Sequence, residues 1–164
     1  MIEREPAAAG LSPAGSRARP AACVRVTRRL HFSAAHRLGR EEWPAARNAA
    51  VFGPCSNPNW HGHNYEMDVT VEGPVDDDTG YVLDLKALRD LVESRVIVDL
   101  DHGNLNLDVK WLAGMNPTTE NLVVAIWDRL QDRMPAGVRL ARIVLYETPR
   151  NFVEYAGERA EAAS

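Results

Sequence analysis

Residues able to do chemistry concentrate in two short segments, H-F-S-A-A-H-R-L from His31 to Leu38 and C-S-N-P-N-W-H-G-H-N-Y from Cys55 to Tyr65. Together they hold four of the chain's five histidines and one of its two cysteines. Neutral imidazole is a preferred nitrogen ligand of zinc, and thiolate is a preferred sulfur ligand. The two segments therefore predict a metal site.

Strand alternation selects which histidines belong together. In the run that ends at His36, even positions are mostly apolar, and odd positions, including His31, are polar. In the run that begins at His61, odd positions carry His61, His63 and then apolar residues. Because side chains alternate faces along a strand, we expect His36, His61 and His63 at one end of an apolar face and His31 on the other face. Three imidazoles with an open fourth position are typical of catalytic zinc.

Cys55 lies six residues before His61, in a loop rich in proline and asparagine. It is a candidate fourth zinc ligand, which would make the site structural and closed. Alternatively, it is a nucleophile or base whose thiol pKa is lowered by a nearby metal or imidazolium. A third interpretation is an inert small residue. A sulfur within about 2.3 Å of the zinc would identify a ligand.

Further candidates lie later in the chain. Asp101 and His102 are adjacent, as in an acid–base pair, although a loop-capping pair has the same sequence. Glu147 ends a largely apolar strand, where a carboxylate either binds a heterocycle edge through paired hydrogen bonds or is an ordinary strand-end charge. Thr118 and Thr119 are first of all a helix start.

Composition narrows the class of protein. A chain of 164 residues with formal net charge −4 fits one domain with a sizeable core. Basic residues are outnumbered, which disfavours a nucleic-acid partner. No apolar run approaches the roughly 20 residues of a membrane span. Two cysteines do not make a disulfide framework, so we expect a cytoplasmic protein without a membrane partner.

The ends of the chain differ in composition from the middle. Residues 1–22 are rich in Ala, Pro, Arg, Gly and Ser and lack the apolar core of a secretory signal. We expect a disordered extension there; an organellar transit peptide is the weaker alternative because Glu3 and Glu5 are acidic. The folded domain is expected over 23–158, followed by a tail over 159–164.

Periodicity predicts the element order β-β-α-α-β-β and an α+β fold. Asp84 and Thr118 are the expected starts of the two helices, separated from neighbouring elements by long loops over 38–60 and 99–117. The expected elements are strands over 22–35 and 62–73, a helix over 84–98, a second helix from 118, and strands over 139–147 and 152–156.

The chain from about residue 25 to 157 resembles the 6-pyruvoyl-tetrahydropterin synthase family, which includes the bacterial 6-carboxy-tetrahydropterin synthases. The motifs that carry the resemblance are F-S-A-A-H-R-L, C-S-N-P-N-W-H-G-H-N-Y, L-D-H-G-N-L-N, P-T-T-E-N and Y-E-T. The resemblance implies the tunnelling fold, a four-stranded antiparallel sheet with two helices on one face. It also implies sheets joined into a barrel in each trimer, and two trimers stacked as a homohexamer.

The resemblance further implies roles for single residues. His36, His61 and His63 bind Zn²⁺, Cys55 is the catalytic base, and Asp101 with His102 completes a proton relay. Glu147 anchors the pterin ring, with Thr118 and Thr119 beside it. The implied substrate is 7,8-dihydroneopterin triphosphate, whose carbon–hydrogen bond is acidified by zinc acting as a Lewis acid before triphosphate leaves.

Two products remain open. Five residues separate Cys55 from His61, the spacing of the pyruvoyl synthases, whereas many carboxy synthases have three. Bacterial members with the longer spacing are nevertheless often assigned to the carboxy branch, in queuosine biosynthesis. Trp60 occupies a position that is often glycine in the family, which affects the mouth of the pocket.

Two other classes of protein share single features. A cupin-type metalloprotein also carries His-x-His on a strand followed by a glutamate, but Glu66 falls on the opposite face from His63 by parity. Two amphipathic helices between strand pairs also argue against an all-β barrel. A non-catalytic zinc-stabilised module would use Cys55 as its fourth ligand.

Overall fold

The computed structural model describes residues 22–158, and its centre is one mixed sheet of five strands in the order β3-β1-β2-β4-β5. Four strands are antiparallel neighbours, and the two-residue β3 pairs with β1 in parallel. The strands are β1 Cys23–His36, β2 His61–Pro74, β3 Gly103–Asn104, β4 Arg139–Thr148 and β5 Asn151–Tyr155. The expected extension over 1–22 and the tail over 159–164 lie outside the described residues, apart from residue 22.

The predicted α+β class and the four long strands are present. The expected four-stranded antiparallel sheet is wrong in one respect, because a fifth, short strand pairs with β1 in parallel. Asn104, in the predicted loop over 99–117, pairs with Ala35 and thereby adds β3. A strand of two residues is too short to show alternation in the sequence. It forms because the loop is held against the edge of β1.

Four α-helices occur in the described residues, and the last three pack against the sheet. They are α1 Ala45–Phe52, α2 Leu85–Val92, α3 Val98–Leu100 and α4 Thr119–Leu130; a π-helical turn, Glu93–Ile97, joins α2 to α3. The side chain of Asp84 accepts a hydrogen bond from Lys86 N, and that of Thr118 accepts one from Asn121 N, so both predicted starts are helix caps.

The expectation of two helices is incomplete, because α1 lies inside the predicted loop over 38–60. The segment is short and rich in alanine, with one buried side chain, Asn48. Asn48 accepts from Arg40 N and donates to the carbonyl of Arg40, which ties α1 to the chain that follows β1. Side-chain hydrogen bonds rather than an apolar stripe hold α1, so periodicity did not reveal it.

The core lies between the sheet and α2, α3 and α4. Phe32 on β1 stacks on Tyr65 on β2 with ring centroids 4.8 Å apart. The fully buried large side chains of this layer are Phe32, Tyr65, Met67, Leu88, Leu100, Leu105, Leu112, Leu122, Ile126, Leu130, Ile143 and Leu145. Burying each such side chain contributes about 1.5–3 kcal/mol, so the layer fixes the strand ends where the histidines lie.

Strand β4 contains a β-bulge and carries Glu147 near its end. Thr70 pairs with Arg142 and Val71 pairs with Leu140, so Ala141 is an extra residue. Side-chain alternation shifts by one at such a bulge. Leu145 and Glu147 both follow the bulge and are two residues apart, so Glu147 lies on the face of the buried Leu145, the face that carries His36.

The opposite face of the sheet is polar. Arg29 binds Asp68 with Nε–Oδ1 at 2.7 Å and reaches Glu66 at 3.2 Å. Arg25 binds Glu72 at 2.7 Å across the same strand pair. Among the described helices, none has the length and apolar character required to cross a bilayer.

Candidate active site

The strand ends bring three histidines together, as alternation predicted. His36 pairs with His61 in the register of β1 and β2, and His63 follows two residues along. Their ring nitrogens lie within 4.8 Å of one another, with Nε2 of His36 and Nε2 of His61 3.0 Å apart. Within residues 22–158, this is the one group of His, Cys, Asp or Glu side chains whose ligand atoms lie close enough together to hold a metal ion. His31 lies on the opposite face, outside this histidine cluster.

The hydrogen bonds of the histidine cluster fit a cation. His36 is fully buried, and its Nδ1 donates to the carbonyl of Pro117 at 2.9 Å. Because a carbonyl only accepts, the lone pair of His36 is on Nε2, toward the other two rings. Nε2 of His63 is buried without a hydrogen-bond partner in the described chain. Burying a nitrogen without a hydrogen-bond partner costs free energy, and coordination to a zinc ion would supply the missing partner.

The surroundings favour the neutral form of two members of the cluster, His36 and His61. Burial lowers the pKa of His36 below its usual value, and the neighbouring imidazoles lower it further. Burial also lowers the pKa of His61, followed by the effect of His63. Neutral imidazole is the form that binds a metal, so the environment favours the ligating state at physiological pH.

Glu147 lies beside the histidine cluster. Its Oε1 is 3.6 Å from Nε2 of His36 and 3.9 Å from Nε2 of His63. Thr119, at the first turn of α4, donates from Oγ1 to the same carboxylate oxygen at 3.1 Å. The hydroxyl fixes the orientation of the carboxylate, and the second carboxylate oxygen remains available to a ligand.

A cavity of about 530 Å³ opens beside Glu147. We call it the first cavity, and it contains the predicted positions Cys55, Thr118, Thr119 and Glu147. The turn between β4 and β5 supplies another part of the wall, including Arg150, which no sequence pattern indicated. Its volume is that of a small-molecule site.

Cys55 lies on a 3-10 turn that follows α1. Its carbonyl accepts from Leu38 N at 2.8 Å, which joins the turn to the segment after His36. The thiol is half-buried and free, and it is not a member of the histidine cluster. It is close enough to Tyr65 to add to the raised pKa of that phenol, which is due first to burial and then to Glu147. A closed four-ligand site is therefore not the arrangement in this structure.

Asp101 and His102 are at another place in the molecule. Oδ2 of Asp101 is 3.0 Å from Nδ1 of His102, and its Oδ1 accepts from Ser33 N at 2.8 Å. That backbone hydrogen bond is the largest cause of the lowered pKa of Asp101, ahead of His102. The pair lies just before β3 at the β1 edge of the sheet, and neither residue lines the first cavity.

The backbone of His102 is held in a strained conformation. Its φ is 60°, a left-handed value that non-glycine residues adopt at a cost. His102 N donates to the carbonyl of Ser33 at 2.6 Å, while the imidazole remains 83% exposed. A ring that is fixed by its backbone and open to solvent is available to a ligand or to another subunit.

Sequence reasoning missed two features that position the site. Pro117, whose carbonyl fixes the His36 tautomer, lies in a predicted loop and carries no side-chain signal. Tyr65 was counted as an apolar strand position, yet its hydroxyl lies 3.5 Å from Nδ1 of His36. The signal available in the sequence was that Tyr65 lies two residues after His63 and therefore on the same face of the strand.

The sequence profile of the 6-pyruvoyl tetrahydropterin synthase family matches residues 25–158. The chain is 47% identical over 135 residues to the 6-pyruvoyl tetrahydrobiopterin synthase of Pongo abelii, which covers 82% of this chain and 92% of that protein. It is 30% identical over 131 residues to the 6-carboxy-5,6,7,8-tetrahydropterin synthase of Bacillus subtilis, with 77% and 80% covered.

The fold is similar to the solved structure of Caenorhabditis elegans 6-pyruvoyl tetrahydropterin synthase. The TM-score is 0.77 at 36% identity, with 84% of this chain and 98% of that one covered. The fold and the histidine cluster thus define a tunnelling-fold protein with a candidate metal centre. With the profile match, the chain belongs to the 6-pyruvoyl tetrahydropterin synthase family, as the motifs indicated.

Proposed function

We propose that this protein is a zinc-dependent lyase that eliminates triphosphate from 7,8-dihydroneopterin triphosphate and forms 6-pyruvoyl-tetrahydropterin. The observation that carries the proposal is a cavity lined by Cys55 and Glu147, with the Glu147 carboxylate 3.6 Å from the nearest imidazole of the histidine cluster. Family membership supports the pterin class of substrate.

His36, His61 and His63 would hold the zinc ion. Bound zinc is a Lewis acid that polarises hydroxyl oxygens and makes the neighbouring carbon–hydrogen bond more acidic. The chain prepares this role by fixing the tautomer of His36 through Pro117 and by leaving Nε2 of His63 without another partner in the described chain.

Glu147 and Thr119 would bind the pterin ring. A carboxylate can accept two parallel hydrogen bonds from an N–H and an amino group on one edge of the ring. Thr119 donates a hydrogen bond to Oε1 and so fixes the orientation of the carboxylate plane. Ring binding at Glu147 directs the three-carbon side chain of the substrate toward the histidine cluster, 3.6–3.9 Å from the same carboxylate.

Cys55 would act as the general base. Its thiolate takes a proton from the side-chain carbon next to the ring, and the electron pair moves into the C=N bond of the ring. A second deprotonation, at the middle carbon of the chain, then supplies the electron pair that expels triphosphate from the terminal carbon. A base need not touch the metal, which agrees with the position of Cys55 outside the cluster. Thr118 caps α4 and shares the cavity wall, so its contribution is to position Thr119.

Asp101 and His102 would serve the site of a neighbouring subunit. They lie at the β1 edge of the sheet, whereas the first cavity adjoins β4 and β5 at the other edge. Edge-to-edge closure of sheets places one subunit's β1 edge beside the next subunit's β5 edge. In the proposed homohexamer, His102 then moves protons at a cavity that another chain provides.

The carboxy product is the second candidate, and the Bacillus subtilis relative favours it. Both reactions use the same substrate, metal and ring anchor. Incubation with 7,8-dihydroneopterin triphosphate and mass analysis decides between them. Triphosphate with 6-pyruvoyl-tetrahydropterin supports the proposal, and 6-carboxy-tetrahydropterin identifies the other branch. An unchanged substrate in the zinc-loaded protein contradicts the lyase assignment and favours a non-catalytic zinc module.

The structure removes the cupin alternative. Glu66 binds Arg29 on the polar face, away from His63, so it is not a metal ligand. The sheet is covered by helices over a single core, which is not a β-barrel of the cupin type.

A further inference from the structure

A second cavity, of about 440 Å³, adjoins the same strand ends. Arg37 and Gly39 from the segment after β1 line it, together with Trp60, Asn106 and Asn116. Neither the metal ligands nor the ring anchor line this second cavity. Its residues flank the histidine cluster in sequence, because Arg37 follows His36 and Trp60 precedes His61.

In the order of strands across the sheet, the histidine cluster lies between Glu147 on β4 and the segment after β3 that lines the second cavity. The first cavity adjoins the turn between β4 and β5, the cluster is on β1 and β2, and the second cavity adjoins the segments after β1 and β3. They share a wall, since Leu38 faces the first cavity while Arg37 and Gly39 face the second. A ligand bound at Glu147 that extends across the sheet in this strand order meets the cluster before the second cavity.

Arg37 points unused donors into the second cavity. Its backbone N–H donates to Asn106 and its Nε donates to the carbonyl of Ser56 at 3.1 Å, which fixes the side chain. Within residues 22–158 no carboxylate pairs with its guanidinium, whose terminal nitrogens remain. Asn116 accepts from Gly39 N through Oδ1, so its amide N–H₂ faces the same space.

Two carboxylates also line the second cavity, and neither neutralises Arg37. Glu42 is bound by Arg40 through Nε at 2.8 Å and through its terminal nitrogen. Glu41 is exposed, where water screens its charge. The wall formed by Arg37 therefore carries one positive charge that is held in place, with neutral hydrogen-bond donors around it.

Trp60 adopts a backbone conformation that costs free energy. Its φ is 64°, and a left-handed residue with a bulky side chain costs roughly 1–2 kcal/mol, which glycine would avoid. The indoles of Trp111 and Trp127 donate to Asp99 and Gln131, whereas those of Trp43 and Trp60 have no hydrogen-bond partner in the described chain. Trp60 therefore lines the second cavity with an indole N–H that no described residue uses.

We propose that the second cavity binds the triphosphate group of the substrate, with Arg37 and the indole N–H of Trp60 as its contacts. This inference rests on the proposed function. The substrate is a ring, a three-carbon chain and a triphosphate in line, and the structure presents a ring anchor, a metal cluster and a donor-lined cavity in the same order. Guanidinium binds phosphate oxygens through paired hydrogen bonds.

The test measures how much the triphosphate adds to affinity. Neopterin and neopterin triphosphate, both with a fully oxidised ring, are titrated into the zinc-loaded protein by calorimetry, and the ratio of their Kd values is the triphosphate increment. We expect Arg37→Gln to lower this increment at least about tenfold while neopterin binds as before, since a hydrogen bond to a charged group is lost. Arg150→Gln is the matched control because Arg150 lines the first cavity.

Variants of Trp60 give an independent test, and a folding defect cannot produce the expected result. Trp60→Phe keeps an aromatic ring and removes the donor, and Trp60→Gly removes the strained side chain. Both should lower the increment, while Trp60→Gly keeps or raises the melting temperature because glycine accepts positive φ.

The outcomes separate the two proposals. Failure of neopterin to bind the natural protein contradicts the proposed function and this inference together. Normal neopterin binding with an increment unchanged in the Arg37 and Trp60 variants overturns the inference alone. A loss of increment in Arg150→Gln instead would place the triphosphate in the first cavity and would also overturn it.

Discussion

At the scale of single residues, metal content should separate His36 from His31. His36→Ala removes a fully buried member of the histidine cluster, so we expect most zinc to be lost. His31→Ala changes the other face of β1 and should retain zinc. Elemental analysis of both purified variants checks this. Equal loss in both would mean that strand parity does not define the site.

Cys55→Ala should keep zinc and lose most turnover. The thiol stands outside the histidine cluster, and removal of a general base lowers rates by about 10²–10⁴-fold. Cys23→Ala is the matched control, because Cys23 is the other free cysteine and is exposed at the start of β1. Zinc loss in Cys55→Ala would instead identify Cys55 as a ligand.

Glu147→Gln should weaken pterin binding. One acceptor of the paired hydrogen bonds becomes a donor, and a buried unpaired donor costs about 1–3 kcal/mol, which corresponds to about 5- to 150-fold in Kd. Glu120→Gln, which changes another carboxylate of the first cavity, should leave neopterin affinity near its original value. Equal affinity in the natural protein and Glu147→Gln would refute ring anchoring.

At the scale of secondary-structure elements, helix starts contribute measurable stability. Asp84 caps α2 by accepting from Lys86 N at 2.8 Å. Asp84→Ala should lower the free energy of unfolding by about 1 kcal/mol. Chemical denaturation measures this against Asp77→Ala, a change in the preceding turn that removes no cap. A loss equal to that of the control would show that packing alone holds α2.

At the scale of the whole molecule, open sheet edges predict assembly. β3 covers β1 only at Ala34 and Ala35, and β5 ends the sheet on the other side. Exposed edges favour pairing with another copy. Light scattering should therefore give about six times the 18.2 kDa chain mass, as expected for two stacked trimers. A stable, active monomer at micromolar concentration would contradict the assembly.

Mixing inactive variants tests whether a site spans two subunits. Cys55→Ala and His102→Ala should each be nearly inactive alone. After denaturation and refolding together, turnover should return, because some sites receive Cys55 from one chain and His102 from another. Refolding each variant alone is the control. No recovery in a mixed hexamer would place both residues in one chain's site.

Strand alternation by itself determined the histidine cluster, because one face of β1 and β2 must be buried and a one-residue slip would turn every side chain over. Asp84 and Thr118 were likewise predictable as caps, since their role depends on backbone groups within three residues. Local sequence was sufficient wherever the physical cause is local.

Only the tertiary structure decided the remaining features. The bulge at Ala141 interrupts the pairing of β4 with β2, β3 forms by contact with β1, and the loop around Pro117 places a carbonyl beside His36. Each depends on residues far apart in sequence, and backbone groups carry no side-chain signal. The separation of Asp101 and His102 from the first cavity belongs to the same class, because it follows from the order of strands across the sheet.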